Sequence, residues 1–345
     1  MHSDALTIPL AMLIVFGSAK VFAELFERLG QPAIVGEIVA GVIVGPGALA
    51  WIAPNDVLSA LAELGVMFLL FRVGLEVKPA DLFRVGPVAS LAAILGVVLP
   101  FFAGWGIMAL WGASHLEAIF VGAAMVATSV GITAQVLRSK GLLNEQASQI
   151  ILAAAVIDDV LGLTVLAVVS GLGRDKLNVL EIVLTAAMAM GFTLAIATLG
   201  SKTVSRFVPR LRRTLAVGEV EFNLALILLF SLSVLAVYAG VAAIIGAFLA
   251  GMALSDTVDE RVHALTHGVT ELLVPFFLVG IGMHLDLHVF AQHSILILCV
   301  IIFVAAVVSK LVGCGLAVAR LGWTSMLRVG SGMVPRGEVG MVERR

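Results

Sequence analysis

ASQIILAAAVIDDVLGLTVLAVVSGL, residues 147–172, is long and apolar enough to cross a lipid bilayer, yet it carries two adjacent carboxylates, Asp158 and Asp159, near its middle. At 1.5 Å per helical residue these acids lie about 17 Å from the start of the run, close to the midplane. An ionisable residue so far from both helix ends is expensive in hydrocarbon and marks a functional pathway by default. Consecutive helical residues point about 100° apart, so one carboxylate can face a cavity while the other faces a neighbouring helix. Burial and a like-charged neighbour both favour the protonated form of a carboxylate. Such a pair is suited to exchanging protons and titrates as a coupled unit. The plainer reading is a structural salt-bridged pair, but two adjacent acids need more compensation than structure alone justifies.

The rest of the chain agrees with a membrane setting. Of its 345 residues 61% are apolar and 13% charged, whereas a soluble domain has about 45–50% and about 25%. Only a bilayer accommodates that surplus at this size. The 35 glycines suit close helix packing in lipid. A net charge of −2 offers no basic face for nucleic acid. Cys299 and Cys314 sit in apolar runs, which excludes a disulfide framework or a Cys-rich metal site. Residues 1–9 contain no Lys or Arg, so a secretory signal is not expected. The expectation is a single all-α membrane transport domain over 1–345.

Further spans are expected near 7–27, 33–52, 57–76, 86–111, 115–137, 179–200, 220–239, 241–255, 266–283 and 291–319, with a last one from Trp323. Arg28, Lys78, Arg84, Arg138, Lys140, Arg261, Arg320 and the five basic residues between 202 and 213 fall in alternate loops, against Arg174 and Lys176 in the others. By the positive-inside rule the N-terminus is outside. The chain also repeats itself. Gly36, Ala40 and Gly41 match Gly246, Ala250 and Gly251, while Glu63 and Gly74 match Glu271 and Gly282, and Met125-Val126 matches Met333-Val334. Matching spans are seven apart, an odd number, so the copies (about 7–172 and 216–345) cross in opposite senses, as in secondary transporters. On this count about 12 of an expected 13 transmembrane helices are present, the counterpart of the sixth being absent.

Lys310 follows the apolar run from Ile295 and lies about 15 Å from the end of its segment, too deep to snorkel fully. An ammonium there needs a carboxylate, and at an effective dielectric of 20 an ion pair at 4 Å gains about 4 kcal/mol. That holds a proton balance and still yields to a competing cation. Ala127-Thr128-Ser129-Val130-Gly131-Ile132-Thr133 in the fifth span suits either of two things: an unwound helix exposing carbonyls to a hard cation, or hydroxyls bonded back to their own helix. Residues alone leave these even. In the matching stretch Pro335 between glycines breaks a second helix, and Arg336 and Glu338 either pair across the break or line the ion path. Glu37, Glu63 and Glu271 read as structurally paired acids, and Arg72 with Glu76 as an i, i+4 salt bridge.

Together these residues carry a resemblance. Ala153-Ala154-Ala155-Val156-Ile157-Asp158-Asp159-Val160-Leu161-Gly162-Leu163 resembles the paired-acid helix of the monovalent cation:proton antiporter-2 family, which contains sodium/proton exchangers and Kef-type potassium exporters. Thr128-Ser129 with Val130-Gly131-Ile132 is similar too. So are Leu70-Phe71-Arg72-Val73-Gly74-Leu75-Glu76, Gly246-Ala247-Phe248 and Pro335-Arg336-Gly337-Glu338, in the family's order over nearly the whole chain. The resemblance implies an inverted-repeat antiporter fold with two crossed discontinuous helices, a scaffold part and a mobile core. It implies that Asp159 binds the ion and the proton, that Asp158 pairs with Lys310, and that Thr128 and Ser129 stand at the crossing. It also implies a homodimer, and the retained Asp158 implies electrogenic Na⁺/H⁺ exchange.

The expected function is therefore secondary transport of Na⁺ (or K⁺) against H⁺, the cation held transiently at Asp159 and Asp158. No enzymatic activity, cofactor or nucleic-acid partner is expected, and a bacterial inner (plasma) membrane is the expected location. A K⁺/H⁺ antiporter or Kef-type K⁺ efflux protein is the same-class alternative. An intramembrane aspartyl protease is remote, because its two acids must meet from different helices, and here they are neighbours on one.

Overall fold

The computed structural model describes residues 2–173, 179–214, 219–285, 287 and 293–335. Among them the regular structure is helical, with no strand. The α-helices are α1 (His2–Arg28), α2 (Ala33–Val44), α3 (Asp56–Glu76), α4 (Pro79–Trp111), α5 (His115–Ala124), α6 (Val130–Ser139), α7 (Gln146–Gly173), α8 (Val179–Thr214), α9 (Val220–Tyr238), α10 (Ala243–Leu254), α11 (Glu260–Met283), α12 (His293–Ala317) and α13 (Trp323–Gly332). Eight of them contain a stretch long and apolar enough to cross a membrane. The preference for helix has a simple cause, since hydrocarbon offers no partner to a backbone N–H or C=O and a helix satisfies its own.

Three segments depart from uniform spans for local reasons. The second, expected over 33–52, is helical only to Val44. Pro46 has no N–H to continue the ladder, and the chain turns back so that Leu49 N donates to Ile43 O at 2.9 Å and Ile52 N to Val44 O at 3.1 Å. The fifth is split: α5 stops at Ala124, α6 starts at Val130, and the residues between are not helical. The seventh, expected to end near 200, continues as helix to Thr214. Basic residues near a helix C-terminus complement its dipole, so a charged run there need not end the helix.

Packing forms two compact units, one of residues 1–69 and 264–298, the other of 70–263 and 299–345. In the first, Val15, Ala19, Ala40, Val44, Phe276 and Val279 build a core. Gly36 lies against the carbonyl of Phe22, Gly41 against that of Val279, and Gly282 against that of Ile38. In the second, Gly246 lies against the carbonyl of Leu232, Gly251 against that of Phe71, and Gly74 against that of Phe248. These are the same three approaches written twice. Gly36 and Phe22 map onto Gly246 and Leu232 at one offset, and Gly41 and Gly74 onto Gly251 and Gly282. The inverted repeat is thus visible as duplicated backbone-to-backbone contacts that leave no room for a side chain.

A methyl group at Gly41 or Gly251 must therefore push backbone apart, an overpacking penalty of about 1–3 kcal/mol. G41A and G251A are expected to lower the thermal midpoint of the purified protein. G86A, whose added carbon meets nothing within 4 Å, is expected to leave it unchanged. Equal midpoints for all three would show that the close crossings contribute little.

Candidate functional site

The site is built around α7. Its flanking Ile150, Ile151, Leu152 and Ala154 are almost wholly buried, which seats the helix among its neighbours and carries Asp158 and Asp159 into the interior, 2% and 9% exposed. Lys310 of α12 is completely buried. Its Nζ donates to both oxygens of Asp158, at 2.9 Å to Oδ1 and 3.1 Å to Oδ2, although 152 residues separate the two. Charge-assisted hydrogen bonds of this kind are stronger than neutral ones. They offset part of the several kcal/mol that each ion loses on leaving water.

The broken helix α5–α6 and the end of α13 both pack against α7. Between α5 and α6, Ser129 caps the second half, its Oγ accepting from Ile132 N at 3.2 Å. Its own N–H leaves the local chain and donates to Pro335 O at 2.8 Å. One turn on, Thr133 Oγ1 donates to Gly332 O at 2.9 Å. The interruption after α5 and the one after α13 are thus tied together by two hydrogen bonds. Thr128 is 3% exposed, and its buried hydroxyl has no hydrogen-bond partner among the described residues. Of the two uses left open for the hydroxyls, bonding back along one helix holds for neither Thr128 nor Thr133.

Contacts with α7 locate both breaks relative to the acids. A carbon added at Gly162 would meet Val126 Cγ1 at 3.9 Å, and Gly162 shares a face with Asp159 by its i, i+3 spacing. A carbon added at Gly332 would meet Ile151 Cδ1 at 2.5 Å, two turns before Asp158. The C-terminal ends of α5 and α13 and the N-terminal end of α6 all reach this region. Helix ends of opposite partial charge thus pack against α7, those of the first break one turn after Asp159 and that of α13 two turns before Asp158. Such a donor set, carboxylates with hydroxyl and carbonyl oxygens, suits a hard monovalent cation and a proton. Among the described residues no cluster of three His, Cys, Asp or Glu is arranged to hold a metal. Arg336 and Glu338 lie outside the described residues, while Pro335 is within them.

Other charged residues fall into separate pairs. Glu76 receives Arg138 Nε at 2.9 Å, across 62 residues, a partner that the i, i+4 reading with Arg72 did not include. Glu37 is buried and accepts from Lys20 at 3.3 Å. Glu271 is about half exposed, near Lys20 at 3.9 Å and His267 at 3.6 Å, and Glu63 is exposed. Arg328 of α13 donates to Glu145 at 2.7 Å, just before α7. Thr133 stood in the hydroxyl-rich 127–133 stretch without being singled out from it, although a hydroxyl four residues beyond the Ser129 cap was a usable signal. T133V keeps the volume and removes the hydroxyl, leaving the Gly332 carbonyl without this donor. The expected cost is about 1–3 kcal/mol, read as a lower thermal midpoint; an unchanged midpoint would show that the tie between the breaks is dispensable.

The sodium/hydrogen exchanger transmembrane-domain model matches residues 12–342. The chain is 33% identical to the high-affinity Na⁺/H⁺ antiporter NhaS3 of Synechocystis, covering 96% of this chain and 81% of that one. It is 34% identical to the Na⁺/H⁺-K⁺ antiporter GerN of Bacillus cereus, with coverages of 95% and 85%. Its fold is similar to that of the sodium proton antiporter MjNhaP1 of Methanocaldococcus jannaschii, with a TM-score of 0.66 at 17% identity over 94% of this chain and 85% of that one. The protein is an integral membrane transport protein with the inverted-repeat antiporter fold. It belongs to the sodium/hydrogen exchanger family.

Proposed function

We propose that the chain exchanges a monovalent cation, Na⁺ before others, for protons by alternating access, with Asp159 as the binding carboxylate and Asp158 as its helper. The observation that carries this reading is the buried pair on α7, one member of which is held by an ammonium that a cation can replace. Na⁺ arriving from the cytoplasm binds Asp159, protons leave, and Lys310 is released from Asp158. The core then moves, Na⁺ departs on the far side, and protons return. Coupling follows because two buried carboxylates cannot cross charged and unpaired. Thr128 and Ser129 add oxygen ligands from the first break, while Pro335, Arg336 and Glu338 belong to the second. Retention of Asp158 beside Asp159 supports electrogenic exchange.

In this reading residues 1–345 act as one transport domain of two inverted copies. The domain works as a homodimer in a bacterial inner membrane with the N-terminus outside, and serves pH homeostasis. The names of NhaS3 and GerN support Na⁺ as cargo, and GerN's name equally supports K⁺ as a second reading. The test is the collapse of a preformed pH gradient in proteoliposomes on adding Na⁺, Li⁺ or K⁺. Collapse with Na⁺ that D159N lacks supports the proposal. Collapse with K⁺ alone transfers it to the second reading, and no collapse with any of the three overturns it.

A further inference from the structure

Within the second compact unit, close backbone crossings form two sets that share no helix. One ties α3 to α10 and α10 to α9, through Gly74 and Gly251 and through Gly246. The other ties α4 to α5 and α12, and α12 to α13: a carbon added at Gly122 would meet Phe101 O at 2.8 Å, one at Gly313 Leu95 O at 2.7 Å, and one at Gly330 Leu311 O at 2.5 Å. The half-helix α6 goes with the second set, because Thr133 donates to Gly332 at the end of α13. A side-chain bridge joins α6 to α3 of the first set. Arg138 Nε, in the last turn of α6, donates to Oε1 of Glu76, the last residue of α3, at 2.9 Å. The two side chains are 19% and 34% exposed. Water reaches both, and losing a pair of this kind shifts an equilibrium by only about two- to fivefold. Such a bridge contributes little to holding a fold together, yet it biases a balance between two arrangements and still opens in every cycle. The repeat adds an asymmetry. Gly74 maps onto Gly282, and at the same offset Glu76 maps onto His284, which is no carboxylate and donates from Nδ1 to Gly280 O of its own helix at 2.7 Å. The acid of the bridge is therefore present in one copy only.

We infer that the Arg138–Glu76 bridge is a latch, which holds α6 and the breaks tied to it against α3 and opens when the core moves. The inference rests on the proposed alternating access. In the orientation proposed above, α3 and α6 both end at the cytoplasmic side, so the closed latch opposes entry of cytoplasmic Na⁺. Apparent affinity scales with the fraction of molecules in the competent arrangement. Removing the latch therefore strengthens Na⁺ binding from the cytoplasm, an effect in the opposite direction to ordinary damage.

Two measurements on the full chain test it. In vesicles of known orientation, E76Q and R138Q are each expected to lower the apparent KM for cytoplasmic Na⁺ by about two- to fivefold, and the charge exchange E76R/R138E to restore it. A KM that both single variants leave where it was, with or without slower turnover, makes the bridge a packing contact and overturns the inference. In proteoliposomes, E76C/R138C is joined by a short bifunctional thiol reagent whose link is cleaved by reduction. E76C and R138C treated alike control for reaction at Cys299 and Cys314. Joining the two positions is expected to stop the Na⁺-driven collapse of a pH gradient, and reduction to restore it. Collapse that persists when cross-linking is complete shows that α3 and α6 stay together throughout the cycle, which overturns the latch while exchange itself stands. An unmodified chain that collapses no gradient with Na⁺, Li⁺ or K⁺ overturns the exchange reading first, and the latch with it.

Discussion

D159N is expected to abolish exchange, with Na⁺-driven collapse of a pH gradient reduced at least about a hundredfold in proteoliposomes. The amide copies the shape of the carboxylate but neither releases a proton nor supplies the charge that draws a cation out of water. In a site of low effective dielectric that charge governs binding, and a hydroxyl or carbonyl dipole from Thr128 or the breaks does not replace it. Folding is expected to survive, because a neutral amide is cheaper to bury than an ion and Asp158 keeps its hold on the buried lysine. A monodisperse D159N protein with undiminished exchange would overturn the assignment of Asp159. A protein that is monodisperse and silent is the expected result.

Breaking the Lys310–Asp158 pair is expected to have the largest effect on stability. K310A leaves a carboxylate at 2% exposure without the ammonium that its two oxygens accept from. Removing one partner of a buried ion pair costs about 3–5 kcal/mol, because the remaining charge is still out of water. D158N strands the ammonium instead. Replacing both groups together, as D158N/K310M, removes both charges and is expected to cost much less than the sum of the single changes. A double-mutant cycle on thermal unfolding reads this directly. Additive losses would show that the pair contributes no coupling and that each residue matters for its own packing. Transport should differ from stability here: the single variants weaken exchange or change the charge moved per cycle, measured as Na⁺-driven voltage at known Na⁺ flux.

Much of this was legible in the chain. The depth of Asp158 and Asp159 follows from counting along an uninterrupted apolar run, and the depth of Lys310 follows the same way. Pro335 announced an interruption, because it has no N–H for the helical ladder, whereas the hydroxyl-rich 127–133 stretch fitted an unwound helix and hydroxyls bonded back to their own helix equally well. The repeat offsets of 208 and 210 were readable as small residues at matching places, and they turned out to mark duplicated close crossings such as Gly41 on Val279 and Gly251 on Phe71. Less legible was the second segment, where apolar composition reads as a full span while the backbone turns back after Val44. Composition reports the solvent of a segment and not its path. The Arg138–Glu76 pair was hidden for a related reason, since an i, i+4 neighbour is visible in sequence and a partner 62 residues away is not.

By itself the sequence determined that the protein lives in a bilayer, that its elements are helices, that it is built twice in opposite senses, and that three ionisable groups sit deep in it. Those properties depend on local composition and on counting, and the absence of water in the membrane core forces them. Counting along the chain left open which carboxylate the ammonium of Lys310 holds, and only the tertiary structure shows it against both oxygens of Asp158. It also decided that Ser129 and Thr133 donate to the carbonyls of Pro335 and Gly332. These depend on the rotation and height of one helix against another. Many weak contacts along each helix set that rotation together, and no short stretch of residues encodes it.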